Sequence, residues 1–145
     1  MKSITITEVE YVAYRLAKEH MLWDEPIPDF SSRFPNALES CLATPFQEFG
    51  GKKLYKGLIE KAAVLFYLMV KNHPFKNGNK RIAMVTLFYF LSKNKKWMEV
   101  DNQELYNFAK WVASSNPKLR EDTVSAIKNF LKAYIKEAVE TAKGK

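Results

Sequence analysis

The sequence contains a single cysteine, Cys41, and this count excludes a framework of internal disulfide bonds. A chain without disulfides is typical of a reducing compartment, so we expect the cytoplasm. No apolar run approaches the roughly 18 residues that a membrane-spanning helix needs. Residues 1–7 contain one lysine and no following apolar block, so we do not expect a signal peptide. Cys41 itself falls in a short apolar segment and is expected to be a core residue.

Arginine is also scarce, although the chain is basic. The net charge is +7, but only four of the 23 basic residues are arginine. Arginine is the side chain best suited to bidentate recognition of bases and phosphates, and the lysines are spread over the whole chain. This pattern argues against a nucleic-acid-binding protein. The positive charge instead suits an acidic protein partner or bound ATP. The four arginines are Arg15, Arg33, Arg81 and Arg120.

Glycine and proline are absent between Gly78 and Pro117, which favours long uninterrupted helices. A helix is predicted over about 79–94, and its residues are apolar on almost every side. Such a helix belongs in the middle of a bundle. A second helix is predicted from Asp101 to about 114, because Asp101 and Glu104 match a capping pattern.

The first 72 residues predict three further helices separated by loops. Thr7 and Glu10 match a capping box that would open the first helix. A loop is expected over 23–34, where Trp23 would cover the core or contact a partner. Pro35 suits the first position of a short helix to about Ala43. Residues 44–51 then predict an exposed turn or short hairpin, and another helix is predicted over about 55–72. The apolar stripe of the first helix is expected to be Val9, Val12, Ala13, Leu16 and Ala17.

A final helix completes the predicted fold. It begins at a point between Asn116 and Asp122 and carries apolar residues as far as Ile135 and Ala138. The sequence shows no repeat, no low-complexity segment and no linker between domains. We therefore expect residues 1–145 to form one all-α domain, a bundle of about six helices with a short hairpin before the central pair.

The segment 73–81 lies between an amphipathic helix and the buried helix. The N-terminus of a helix presents unpaired backbone N–H groups and a positive dipole, and it therefore binds anions. Gly78 allows close approach of the backbone to a phosphate. Lys80 and Arg81 are unfavourable in the first turn of a helix unless something negative is bound there. These residues indicate an anion site.

His73 begins this segment and is one of two histidines in the chain, so a metal centre built from histidine is not expected. A histidine beside an anion site suits a general base, because its ordinary pKa lies near neutrality. The alternative is that His73 only terminates the preceding helix and that Lys80 and Arg81 are solvated charges. The local pattern by itself does not decide between the two.

The segment His73-Pro74-Phe75-x-x-Gly78-Asn79-Lys80-Arg81 closely resembles the signature of the Fic/Doc family, HPFx(D/E)GN(G/K)R. The resemblance extends over about residues 5–135, and the helical fold of that family agrees with the one predicted here. The other matching segments are Leu38-Glu39-Ser40, Pro45-Phe46, Gly50-Gly51, Leu54-Tyr55, Glu60-Lys61-Ala62-Ala63 and Lys71-Asn72.

The resemblance implies an enzyme that, with Mg²⁺, moves part of ATP onto a hydroxyl of a target protein. His73 would be the general base that takes the proton of the attacking hydroxyl. Lys80 and Arg81 would bind the phosphates and neutralise their charge during transfer. The remaining nucleotide-binding residues would be Phe75, which also fixes the loop in the core, Gly78 and Asn79.

The resemblance also implies a flap over 45–54 that aligns the target chain by pairing with its backbone as an added strand. The target-binding residues of this flap would be Phe46, Gln47, Glu48, Phe49, Gly50 and Gly51.

One position departs from the signature. Asn77 occupies the place of the usual acidic residue, which would hold Mg²⁺, and a neutral amide oxygen is a poorer ligand for this hard ion. In one interpretation, the phosphates supply most of the ligands of Mg²⁺ and Asn77 assists. In the other, the chain is a weakly active module that binds nucleotide and interacts with a partner.

The group that is transferred also remains open. Lys80, together with Met84 in place of a second arginine, is similar to Doc, the death-on-curing toxin. That similarity implies transfer of the γ-phosphate, a translation elongation factor as the target, and a separate antitoxin. Members that transfer AMP more often carry glycine and arginine at these two positions, and AMP transfer is the alternative.

Overall fold

The structure is a computed structural model and describes residues 1–23 and 26–137. Across these residues it contains six helices and two small pairs of antiparallel strands. No helix in the described ranges has both the length and the apolar character that crossing a bilayer demands. The all-α prediction is confirmed.

The first helix, α1, has three consecutive parts: Ile6–Glu8, a π-helical stretch Val9–Tyr14, and Arg15–His20. Its capping box is made by Thr5 and Glu8 and not by Thr7 and Glu10, so that prediction was wrong. The same sequence pattern occurs at both places. The earlier one forms because the Glu8 carboxylate also accepts hydrogen bonds from Lys93 and Tyr89.

The buried face of α1 also differs from the prediction. Tyr14 is buried, whereas Val12 is only half-buried and Leu16 is 44% exposed. The wider turns of the π-helical stretch explain the difference, because they rotate the following residues relative to a regular 3.6-residue repeat. The residues of α1 that are buried are Val9, Ala13, Tyr14 and Ala17.

The second helix, α2, spans Pro35–Ala43 with proline in its first turn, as predicted. A hairpin follows, with strands β1 (Glu48–Phe49) and β2 (Lys52–Lys53). Gly50 and Gly51 between the strands both have positive φ, +59° and +79°. Positive φ at both central residues defines the type I′ turn that suits a two-residue hairpin loop.

The core lies around the antiparallel pair α3 (Gly57–Lys71) and α4 (Asn79–Lys93). Every residue of 61–70 is buried, so α3 is enclosed on more faces than the amphipathic helix predicted over 55–72. The buried character predicted for 79–94 is confirmed. Helix α4 packs against α1 and α3, and also against the next helix, α5 (Asn102–Ser114).

Helix α5 begins as predicted, with Asp101 as its cap. The Asp101 carboxylate accepts hydrogen bonds from the backbone N–H groups of Gln103 and Glu104. The Glu104 carboxylate, however, accepts a hydrogen bond from the Tyr134 hydroxyl and does not return to the cap. Only half of the predicted capping pattern is therefore formed.

The last helix, α6, spans Arg120–Tyr134 and follows a 3₁₀ turn at Pro117–Leu119. It ends earlier than predicted. Ile135–Glu137 form strand β4, which pairs with β3 (Lys96–Met98), so Ile135 lies opposite Met98. A β-branched residue suits this half-buried strand position. Ala138, predicted on the same helix, lies outside the described residues.

Glu8 links the start of α1 to the end of α4. Its carboxylate accepts hydrogen bonds from the Lys93 ammonium (2.7 Å), the Tyr89 hydroxyl (2.7 Å) and the Thr5 backbone N–H (2.9 Å). Burial alone would raise the pKa of Glu8, but these donors outweigh it and lower the pKa to about 2. The stabilisation is therefore fully present above about pH 4.5 and is lost as the pH falls towards 2.

We expect Glu8→Gln to lower the free energy of unfolding at pH 7 by about 1–2 kcal/mol, because the charge-assisted bonds are weakened. Urea unfolding measured from pH 7 down to pH 2 should show the difference from wild type shrinking across the lower half of that range. Glu10→Gln is the matched control in the same helix, because Glu10 makes no ion pair within the described residues. An equal loss in both variants would contradict this role for Glu8.

Cys41 is fully buried on α2, as predicted, and burial raises the pKa of its thiol to about 12. Because the thiolate is the reactive form, we expect native protein to react with a thiol reagent at pH 8 at least about 100-fold more slowly than protein unfolded in guanidinium. Unfolded protein should titrate one thiol per chain. Fast stoichiometric reaction of the native protein would show that Cys41 is accessible.

Candidate active site

The loop that carries the signature connects α3 to α4, and His73 is its first residue after the helix cap Asn72. His73 has φ +48°, in the left-handed region, and its side chain is exposed. Helices often end in this conformation, but usually with glycine, and another residue there costs about 1 kcal/mol. Backbone geometry at position 73 favours glycine, yet the chain has an imidazole there. The presence of this imidazole favours a chemical role for His73 over a purely capping one.

Asn79 holds the loop in shape. Its side-chain oxygen accepts a hydrogen bond from the Phe75 backbone N–H (2.9 Å), and its Nδ2 donates to the Phe75 carbonyl (2.8 Å). Nδ2 also lies 3.4 Å from His73 Nδ1. The amide is therefore occupied within the loop, and the expected role of Asn79 in nucleotide binding stays a prediction. What Asn79 offers an anion is its backbone N–H, which has no acceptor within the helix.

Phe75 fixes the loop to the core. Its ring is 2% exposed and contacts Tyr14 and Phe30, with ring centres 6.2 and 5.7 Å away. The Pro74 carbonyl accepts a hydrogen bond from Phe34 N–H (2.8 Å). The expected anchoring role agrees with this position. The expected contact of Phe75 with nucleotide does not, because its ring does not reach the surface.

Gly78 has φ +77°, which glycine adopts without strain. A side chain here would also clash, because an added Cβ would lie 2.6 Å from Cγ1 of Ile27. The close approach of Ile27 therefore requires glycine here, and the approach of a phosphate to Gly78 stays a prediction. An anion at this helix N-terminus has to approach from another side.

Lys80 and Arg81 point in different directions, because successive helical residues are rotated by about 100°. Arg81 is buried, donates a hydrogen bond from Nη1 to the Met21 carbonyl (2.9 Å), and lies 5.8 Å from the centre of the Trp23 ring. Lys80 is half-buried and lines a cavity beside α5. Of the two cations expected to bind the phosphates, Lys80 lines this cavity and Arg81 does not.

That cavity has a volume of about 690 Å³ and lies between Lys80, Trp23 and α5. The Trp23 and Tyr106 rings meet edge to face at 4.6 Å, and Lys110 Nζ lies 5.9 Å from the centre of the Tyr106 ring. Sequence reasoning did not single out the α5 residues. Their spacing is the signal that could have found them, because Gln103, Tyr106 and Lys110 fall on one helix face.

Asn77 is half-buried, and its Nδ2 donates a hydrogen bond to the Pro26 carbonyl (3.1 Å). Its side-chain oxygen remains as a neutral acceptor. The described residues contain no group of three or more His, Cys, Asp or Glu side chains able to hold a metal ion. A metal at this loop would therefore need ligands from a bound phosphate, with the Asn77 oxygen as one further ligand.

The hairpin expected to act as a flap is exposed, with Phe49 79% exposed at its tip. Gln47, Glu48 and both glycines are exposed as well. Phe46 is different, because it is half-buried and its ring packs edge-on against Phe90 at 6.1 Å. The residues available to a target chain are therefore 47–51, and Phe46 connects the hairpin to the core.

Comparison with known proteins adds one match. A model of the Fic/DOC family matches residues 5–91, which is more than half of the chain and includes the loop, the hairpin and most of α4. No curated protein and no solved structure gives a significant match. Helix α5, which lines the cavity, lies beyond the matched residues. The match and the loop geometry together place this chain in the Fic/DOC family, whose members are generally transferases.

Proposed function

We propose that this protein uses ATP to modify a hydroxyl of another protein, transferring the γ-phosphate. The observation that carries the proposal is the loop 73–81, in which an exposed histidine stands in a strained conformation beside the N-terminus of a buried helix. Lys80 extends from that same helix into a cavity of the size that small ligands occupy.

The cavity has the chemistry that a nucleotide needs. Trp23 and Tyr106 offer aromatic faces and edges for a base. Lys80 and Lys110 supply positive charge for phosphates, and Gln103 supplies an amide that can donate and accept hydrogen bonds. The backbone N–H groups at the start of α4 add fixed donors, which need no reorganisation when charge develops during transfer.

His73 is the proposed general base. Among the described residues its Nε2 has no partner, and the contact of its Nδ1 with Asn79 is at the long limit of a hydrogen bond. Asn79 Nδ2 can only donate, so the tautomer with its proton on Nδ1 and its lone pair on Nε2 forms when this long contact opens. Nε2 takes the hydroxyl proton as the hydroxyl oxygen bonds to the γ-phosphorus, and the bond from that phosphorus to ADP breaks.

The Asn77 side-chain oxygen would help to hold Mg²⁺ beside the phosphates of ATP, and the ion would supply positive charge that neutralises them. Asn77 supplies a neutral oxygen, and Lys80 supplies positive charge from the cavity. Arg81, buried beneath the loop, adds a positive field at the start of α4.

Met84 supports γ-phosphate transfer over AMP transfer. It occupies the position, one turn after Lys80, where AMP-transferring members carry a second arginine, and here it is completely buried in the core. No cation is available at that position to bind the far end of ATP in the AMP-transfer orientation. AMP transfer remains the alternative outcome of the assay below.

The proposed partners follow from the same similarity. The exposed hairpin would align the target protein, for which a translation elongation factor is the candidate. By the same similarity, a separate antitoxin would control a toxin of this kind.

A second candidate function is a nucleotide-binding interaction module with little or no transfer activity. Asn77 favours it, because the amide makes a hydrogen bond to Pro26 that a carboxylate cannot donate, and because it is a weak metal ligand. Such a module would bind ATP and signal to a partner.

We expect His73-dependent transfer of label from γ-labelled ATP to one protein band in bacterial extract with Mg²⁺. His73→Gly is a suitable control, because glycine accepts the φ of +48° and should leave the fold intact while removing the base. We expect loss of at least about 100-fold in rate. Label from the α-phosphate would indicate AMP transfer, and ATP binding without any label would indicate the interaction module.

We expect Asn77→Asp to lower the Mg²⁺ concentration for half-maximal transfer by about 3- to 10-fold, because a carboxylate is the stronger ligand. A Mg²⁺ titration of transfer rate measures this. Asn72→Asp is the matched control, since it adds the same charge at the other end of the loop on an exposed side chain. An unchanged titration in Asn77→Asp would remove residue 77 from the metal site.

A further inference from the structure

Lys61, near the start of α3, is 2% exposed and has no part in the loop chemistry. Within residues 1–23 and 26–137, Lys61 and Arg81 are the only lysine or arginine side chains that are buried. An ammonium removed from water is costly, and lysine is almost never buried without a partner. A methionine of similar length could fill the same space without this cost. The retained charge therefore requires an explanation.

Two contacts of Lys61 lie on either side of the hairpin. Its Nζ donates a hydrogen bond to the Tyr55 carbonyl, directly after the hairpin. The same ammonium lies 5.2 Å from the centre of the Phe46 ring, directly before it. A cation over an aromatic face at this distance is attracted to it, more strongly when both are desolvated. One side chain thus holds both ends of the hairpin.

The hairpin has little else to fix its direction. Its strands are two residues each, and one further backbone hydrogen bond, from Leu54 N–H to the Gln47 carbonyl (3.1 Å), extends the pairing. An isolated two-stranded hairpin is only marginally stable in water. Its orientation therefore depends on the contacts of Phe46 and Tyr55 with the core, and Lys61 makes one with each.

The electrostatic surroundings of Lys61 also come from the hairpin. Burial lowers the pKa of Lys61 and the nearby Lys53 lowers it further, while Glu60 and Glu48 oppose this shift. Lys53 and Glu48 are partners in the hairpin register. The pKa of the Lys61 ammonium therefore depends on where the two strands of the hairpin lie.

We infer that Lys61 is a positioning residue for target binding: it holds the hairpin at the angle from which residues 47–51 receive the target chain. This inference rests on the proposed function, in which the hairpin aligns the target. Lys61 touches neither target nor nucleotide and acts through the Tyr55 carbonyl and the Phe46 ring.

Lys61→Met tests the inference, with Lys71→Met as the matched control. Lys71 lies at the other end of α3, and its ammonium also donates to backbone carbonyls, those of Ala113 (3.1 Å) and Ser115 (2.6 Å). We expect hydrogen exchange of the Leu54 amide to become at least about tenfold faster in Lys61→Met, and to stay near wild type in Lys71→Met. ATP affinity, measured by calorimetry, should be unchanged in Lys61→Met.

Transfer kinetics provide the readout that a purely structural role would not move. The rate of labelling in extract should fall several-fold in Lys61→Met when the extract is dilute and recover as its concentration rises, which is an effect on target KM. Lys61→Arg, which keeps a cation and a donor, should restore most of the loss. If Lys61→Met does not fold, Lys61→Gln replaces it, and the same direction of change in Leu54 exchange is expected.

Wild-type exchange rates in Lys61→Met, or equally faster exchange in Lys71→Met, would overturn the inference. The exchange measurement needs no target and no transfer. Absence of label with the wild-type protein would therefore count against the proposed function alone, and the Leu54 amide would still decide whether Lys61 positions the hairpin.

Discussion

The structure of the site depends on the side-chain amide of Asn79. By accepting from the Phe75 N–H and donating to the Phe75 carbonyl, it closes the loop on itself at the start of α4. The loop is thereby fixed at a buried point, because the Phe75 ring lies in the aromatic cluster with Tyr14 and Phe30. A loop without this hydrogen-bonded pair would leave buried backbone groups unsatisfied, which costs about 1–3 kcal/mol for each group.

The directions of the charged side chains follow from that arrangement. Since the loop fixes where α4 begins, helical geometry sends Lys80 towards the cavity beside α5 and Arg81 into the interior beneath the loop. The site therefore has one cation at its surface and one below it. Arg81 Nη1 donates to the Met21 carbonyl, so the buried guanidinium links the start of α4 to the segment that follows α1.

The sequence was sufficient for the parts of this protein that local rules determine. The helix start at Pro35, the cap at Asp101 and the hairpin at Gly50 and Gly51 each depend on a few neighbouring residues. Tertiary contacts decided the rest. Glu8, and not Glu10, completes the first cap because Lys93 and Tyr89 reach it from another helix. Ile135 leaves the last helix because a strand lies beside it, and Tyr106 meets Trp23 from a distant part of the chain.

Asn77 is subject both to the sequence signature and to a tertiary contact. The family signature has an acidic residue at this position, and an amide is the weaker Mg²⁺ ligand of the two. In the folded chain the Asn77 amide makes a stabilising contact, because its Nδ2 donates to the Pro26 carbonyl and holds the preceding loop against the site. A carboxylate has no proton to donate at neutral pH and would face that carbonyl with like partial charge. One side chain at this position cannot be both the stronger Mg²⁺ ligand and the donor to the loop. Because Ile27, the residue after Pro26, also covers Gly78, the contact with Asn77 supports the packing that makes glycine necessary there.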